Sequence, residues 1–250
     1  MSKKARESEN VRIAENILRG KAATAHEIYQ LAMELNASER QFGYARRLLA
    51  IARRDPSAND DAQFRTKLRQ QHALCTYKDP DLPEEVRFDR AIQILADCDD
   101  LRTTTDQETL GIAGAIYKYK WQAFAQSRDL DVSLHYYHRG YEAGIRNDKG
   151  YTAINAAFIY DLKGDAASAK QIRQEVVDAA PSLVAETPNL KHDWWFQITI
   201  AEAYFGLEKY QFAQPALKAA ADALVMVLAT KSSTPGWLIK RSNSNNEVLR

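Results

Sequence analysis

The stretch AEAYFGLEKYQFAQPALKAA, residues 201–220, decides the fold. Ala201 and Tyr204 lie three apart, and Ala213, Leu217 and Ala220 repeat the spacing after a short polar interruption. Residues three or four apart share one face of a helix. A small residue there lets two helices approach closely, and Tyr204 or Leu217 fills the adjacent groove. Pro215 falls in the first turn of the second helix, where the N–H groups have no intrahelical partner. The stretch therefore reads as two packed helices joined by a tight turn.

The same anchors recur upstream. Ala157 with Tyr160, Gly164, Ala169, Val176 and Pro181 forms a second copy, with Lys163 and Arg173 as departures. Gly114 and Tyr117 open a third, whose second helix carries Ser133, Tyr137 and Gly140. Ala45, Leu49 and Ala52, then Ala91, Leu95 and Cys98, read as two further second helices. The anchors Ala45, Ala91, Ser133, Ala169 and Ala213 are separated by 46, 42, 36 and 44 residues. A regular tetratricopeptide array repeats every 34. The reading is an all-α, tetratricopeptide-like right-handed superhelix of about five degenerate helix pairs. One such pair cannot bury its apolar face alone, so pairs must stack.

The periodicity predicts helices over 8–19, 22–35, 39–54, 61–77, 84–98, 106–126, 130–144, 150–163, 166–179, 193–207 and 210–229. Ser38 with Gln41, Asp60 with Gln63, and Thr105 with Glu108 have capping-box spacing. Pro83 suits the first turn of a helix. Residues 180–188 read as a loop, Ala58 as a surface loop position, and the Ser/Asn-rich residues 231–250 as a tail or link after a single domain over 1–230.

Composition agrees. Ala numbers 38, whereas Gly and Pro together number 17 in 250 residues, so the chain is rich in helix formers and poor in breakers. Lys+Arg 34 against Asp+Glu 33 leaves net charge +1, which argues against a nucleic-acid coat or a polybasic membrane anchor. No apolar run approaches the ~20 residues of a membrane span, and the N-terminus lacks the apolar core of a signal peptide. A cytoplasmic protein with reduced thiols at Cys75 and Cys98 is the expectation.

Residues 106–121, DQETLGIAGAIYKYKW, residues 133–144, SLHYYHRGYEAG, and residues 150–158, GYTAINAAF, are distinctive. Together they resemble the tetratricopeptide-like TRAFs-binding regulatory domain of the apoptosis signal-regulating MAP kinase kinase kinases. They are more similar still to the stand-alone bacterial proteins carrying that domain, as are residues 41–50 and 74–83. The resemblance covers roughly residues 22–230. It implies a non-catalytic regulatory scaffold and, for the bacterial members, a place in conflict or anti-phage systems beside an effector. TRAF binding is not carried over. No Gly-rich phosphate loop, His-Arg-Asp or Asp-Phe-Gly motif of a kinase is present.

No catalytic, cofactor or metal motif stands out. Gly111 and Gly114 sit inside a helical run, so close helix packing explains them better than a nucleic-acid loop. His135 and His138, one turn apart, are too few for a zinc site. Asp97, Asp99 and Asp100 lack the glycine and spacing of a calcium loop. What remains is the concave face, lined by first helices. Helical period places Glu108, Lys118 and Tyr119 there from one pair, Tyr151 and Phe158 from the next with Asn155 on the flank, and Trp195 from the last. This set is the expected binding surface for a protein partner. A rival reading makes it a groove for a nucleotide-like anion, with Lys118 pairing the charge, Tyr151 stacking, Asn155 hydrogen bonding, and Lys120, Trp121 and Arg139 in support. A second rival places RNA along Arg46, Arg47, Arg53 and Arg54.

Overall fold

A computed structural model describes residues 8–59, 61–97 and 99–233. Helix accounts for 81% of them, and no strand occurs among them. The helices are α1 (Glu9–Leu18), α2 (Ala25–Glu39), α3 (Phe42–Ala52), α4 (Ala62–Lys78), α5 (Glu84–Ala96) and α6 (Gln107–Phe124). They continue with α7 (Ser127–Glu142), α8 (Ile145–Asp148), α9 (Tyr151–Leu162), α10 (Ala166–Glu186), α11 (Trp194–Gly206) and α12 (Tyr210–Ser233). Short 3-10 turns occupy Pro56–Asn59 and Pro188–His192. Five consecutive pairs, α2/α3, α4/α5, α6/α7, α9/α10 and α11/α12, follow from this order, with α1 in front and the four-residue α8 between the third and fourth.

The chain divides into two compact units, residues 1–136 and 137–250. In the first, α3 packs on both α2 and α4, α5 on both α4 and α6, and the first helices α2, α4 and α6 meet in turn. Its core holds Leu35, Leu48, Leu49, Leu68, Phe88, Leu95, Leu110 and Ile116, all essentially inaccessible. In the second unit α10 packs between α9 and α11, and α12 covers α11.

Most repeat anchors behave as their spacing predicts. Ala45, Ala91, Ser133, Tyr137, Ala157 and Ala169 are wholly buried. Ser133 Oγ donates to the Gly114 carbonyl at 2.7 Å, tying the two anchors of the third pair together. At Gly140 a Cβ would lie 2.5 Å from Thr152 Cγ2, so α7 and α9 cross with room only for a hydrogen. Thr152 cannot yield: it is β-branched within a helix, and its Oγ1 and N–H both donate to the buried Asp148 carboxylate.

The structure corrects five local readings. Residues 180–186 are helix, because α10 runs through the exposed Pro181 and anchors its last turns on the buried Leu183. Ser38 caps nothing: it lies inside α2, which ends with Arg40 in the left-handed region at φ 53°. The cap of α6 is Asp106, not Thr105, its carboxylate accepting from Thr109 N–H. Ala58 is 2% exposed and belongs to the core of the first unit, because its turn folds back onto α2 and α4. Leu217 is 56% exposed; the inner stripe of α12 is instead Ala213, Ala216, Ala220 and Ala223. Cys98, Asp60 and the expected tail beyond residue 233 lie outside the described residues.

Candidate functional site

The expected concave residues fall in both units. Glu108, Lys118, Tyr119, Lys120 and Trp121 lie on α6 in the first; Arg139 on α7, Tyr151, Asn155 and Phe158 on α9, and Trp195 on α11 lie in the second.

One turn of α6 fans out to three neighbouring helices. Tyr117 stacks on Tyr136 of α7 at 5.8 Å between centroids. Tyr119 reaches Tyr77 of α4 at 5.5 Å. Lys120 Nζ donates to Asp89 Oδ1 of α5 at 2.9 Å. At 100° per residue, Lys118 lies on a different side of α6 from these three contacts and is half-buried. Lys120 is turned toward α5, a structural ion pair on another side of the helix. Glu108 lies in the first turn of α6, beside Tyr29 of α2: burial, and after it the Glu108 charge, push the Tyr29 phenol above its usual range.

Tyr29 was not singled out from the sequence. It belongs to an aromatic group in which the His26 ring stacks on Phe64 at 3.9 Å and Tyr29 meets Phe64 edge-on at 5.5 Å. His26 and Tyr29 are three apart on α2, the one sequence signal that would have paired them. Cys75, also near Tyr29, is a buried thiol, pushed by burial up to about 12.

In the second unit Tyr151 packs edge-on against Tyr137 at 6.1 Å. Asn155 Nδ2 donates to the Tyr151 carbonyl at 2.8 Å, one turn back on its own helix. Phe158 and Arg139 are half-buried, and Trp195 is exposed, stacked on Trp194 at 4.0 Å. His138 Nδ1 lies 3.2 Å from Tyr160 Oη and its Nε2 3.5 Å from Glu142. No group of three or more metal-ligating side chains occurs among the described residues.

The arginine stripe is broken by internal pairing. Arg46 Nε donates to the fully buried Asp79 at 2.6 Å. Arg53 reaches Asp97 at 2.8 Å and His72 Nδ1 at 3.0 Å. Arg47 donates to the Gly43 carbonyl and lies over the Tyr44 ring. Arg173, a departure from the repeat pattern, is buried across Gly206, where its guanidinium leaves no room for a Cβ, and it ends on Asp161 at 2.5 Å.

A different surface stands out on the last pair. Tyr210, Leu217 and Leu224 are 56%, 56% and 40% exposed at strict seven-residue spacing along α12, with Val225 beside them. Phe205 at the end of α11 adds its ring to Tyr210 at 5.5 Å. This stripe adjoins the buried alanine stripe of α12, so the apolar surface of the helix continues past the part that α11 covers.

Residues 41–160 match the family model described as Tetratricopeptide Repeats-Sensor. No curated protein is matched. Solved structures with similarity include a point variant of the putative kinesin light chain nearly identical TPR-like repeats from Podosopora anserina, at 13% identity and TM-score 0.48, covering 90% of this chain and all of that one. BtubC from P. vanneervenii is 15% identical with TM-score 0.47, covering 98% of this chain and 99% of its own. MamA protein is 14% identical with TM-score 0.40, covering 84% and 98%. Five consecutive helix pairs and the matched family model make this an all-α, tetratricopeptide-like repeat protein. No described helix is long and apolar enough to cross a membrane.

Proposed function

We propose that this protein is a non-enzymatic, cytoplasmic regulatory module that holds a helical protein partner against the outer face of α12. The observation that carries the reading is the apolar stripe Tyr210, Leu217 and Leu224. In the earlier pairs the second helix is covered by the following first helix, as α3 is by α4, α5 by α6 and α10 by α11. Helix α12 carries apolar residues beyond its buried stripe, with no following helix among the described residues. An amphipathic helix of the partner, with aliphatic side chains at helical spacing, takes that place. Exposed stripes rimmed by polar residues mark interaction surfaces in folded proteins.

The resemblance to stand-alone bacterial regulators supports an effector of a conflict or anti-phage system as this partner. The sensor in the matched family's description supports a module that couples a signal to that effector. Glu108, Lys118 and Tyr119 in the first unit, and Tyr151, Asn155, Phe158 and Trp195 in the second, are proposed as residues for further partner or ligand contacts. RNA is the weaker reading, because Arg46 and Arg53 are engaged by carboxylates.

Site-specific photo-crosslinking in cells tests this. A crosslinker at position 217 should capture one partner protein, which then binds the purified chain. A Leu217→Glu, Leu224→Glu variant should fold normally and lose that binding. Crosslinks confined to residues of the same chain, or to a second copy, would overturn the reading.

A further inference from the structure

At the turn between α2 and α3 the first unit places two cations on one aromatic ring. The Arg40 guanidinium carbon lies 5.8 Å from the centroid of Phe42, and Lys78 Nζ, from the last turn of α4, lies 5.9 Å from the same centroid. Lys78 Nζ is also 5.7 Å from the ring of Tyr77, which meets Tyr119 of α6 at 5.5 Å. Both cations thus lie within about 6 Å of the Phe42 ring centroid, and Lys78 leads through Tyr77 to Tyr119, an exposed tyrosine of the same unit.

Four basic side chains of this unit have acidic partners: Arg46 has Asp79, Arg53 has Asp97, Arg87 has Glu84 and Lys120 has Asp89. Arg40 and Lys78 have none among the described residues. The nearest candidate carboxylates are occupied. Asp79 is taken by Arg46 and the Asp81 N–H, and Glu39 by Ser8 and Asn10. Burial, with the like charge of Arg40 as a further cause, lowers the Lys78 ammonium from its usual value. Two like charges, one of them desolvated, share a site that only ring quadrupoles offset. An anion would relieve both at once. Arg40 is held there by a left-handed backbone at φ 53°, a place where glycine is the cheapest residue.

We infer that Arg40, Phe42 and Lys78 form a binding site for a phosphate monoester, whose attached flat group stacks on Tyr119. The guanidinium and ammonium would each donate to phosphate oxygens beside the Phe42 ring. The site lies in the first unit and does not depend on the α12 surface.

Calorimetry of the full chain against phenyl phosphate, inorganic phosphate and phenol tests it. Phenyl phosphate should bind more tightly than inorganic phosphate, and phenol should give no measurable heat. Arg40→Gln and Lys78→Gln should each weaken phenyl phosphate roughly ten- to a hundred-fold, the worth of one charge-assisted contact. Tyr119→Ala should remove the advantage of phenyl phosphate over phosphate, and Lys67→Gln, an exposed control on the same helix as Lys78, should change nothing. Arg40 is exposed, so its variant folds whatever becomes of Lys78. Failure of wild type to bind either phosphate at millimolar concentration, or equal binding by Arg40→Gln and wild type, would overturn the inference.

Discussion

Helices α4 and α9 hold equivalent places, each the first helix of a pair, yet they bury different chemistry. Helix α4 buries Gln70, Gln71, His72, Thr76 and Tyr77 among its apolar residues, whereas α9 buries Thr152, Ala153, Ile154, Ala156, Ala157 and Ile159. A polar interior has to be satisfied group by group. Gln70 donates to Asp106 at 2.7 Å and Thr109 at 3.0 Å, Thr76 to the His72 carbonyl at 2.6 Å, and His72 faces Arg53. An interior of alanine and isoleucine asks only that volumes match. Helix α4 is thus built to fail through charge, α9 through size.

The sharpest way to break the first unit is to strand a charge. Arg46→Ala leaves the Asp79 carboxylate buried with only the Asp81 N–H, and should cost about 3–5 kcal/mol in urea unfolding. Loss of less than about 1 kcal/mol would mean that water reaches Asp79, erasing the contrast.

Acid should act on the same helix. Burial, and then the Arg53 charge, push His72 from 6.5 down to about 3. Below about pH 6.5 the unfolded chain takes up a proton that the folded chain refuses, so stability falls with falling pH. The slope from this group is about 1.4 kcal/mol per pH unit, reaching roughly 3 kcal/mol by about pH 4.5. The loss should continue until the pH nears about 3. A His72→Gln variant should lack this part of the acid sensitivity; equal acid slopes for the two proteins would remove His72 from the account.

Size should govern α9. Ala157→Leu overpacks a wholly buried position and should cost about 1–3 kcal/mol, with no change in its pH dependence. Ala58→Leu should behave likewise although its neighbours in sequence are turn residues, since Ala58 is a core position. Smallest of all, Leu217→Glu should shift stability by under about 0.5 kcal/mol, because the side chain already faces solvent. A large loss there would mean that α12's outer stripe is covered.

How much of this was legible follows from which interactions are local. Helix existence and the buried anchors Ala45, Ala91, Ser133, Ala157 and Ala169 rest on periodicity within one segment, and they read correctly. Capping read less well. Thr24 with Glu27 makes the full reciprocal capping box, whereas Ser38, with equally good spacing, lies inside α2. The spacing is the same; only the tertiary fate of the flanking residues differs. Pro181 suggested a break, but a single lost hydrogen bond is outweighed when Leu183 is buried beyond it. In the candidate site, helical period put Lys118 and Tyr119 on one concave face as an expectation; in the structure Tyr119 meets Tyr77 of α4. The cation pair on Phe42 did not follow from helical period, because Arg40 and Lys78 are 38 residues apart and meet only through α3 and α4 packing. Lys120's pairing with Asp89 was hidden for the same reason.

The chain's two cysteines, Cys75 and Cys98, both fall in residues 1–136. Cys75 is sealed beside Tyr29 and its thiol is held far from ionisation. Its alkylation therefore waits on an opening of the structure around it. With Cys98 replaced by serine, the labelling of one sulfur becomes a clock. It ticks at the rate at which the core around α4 opens.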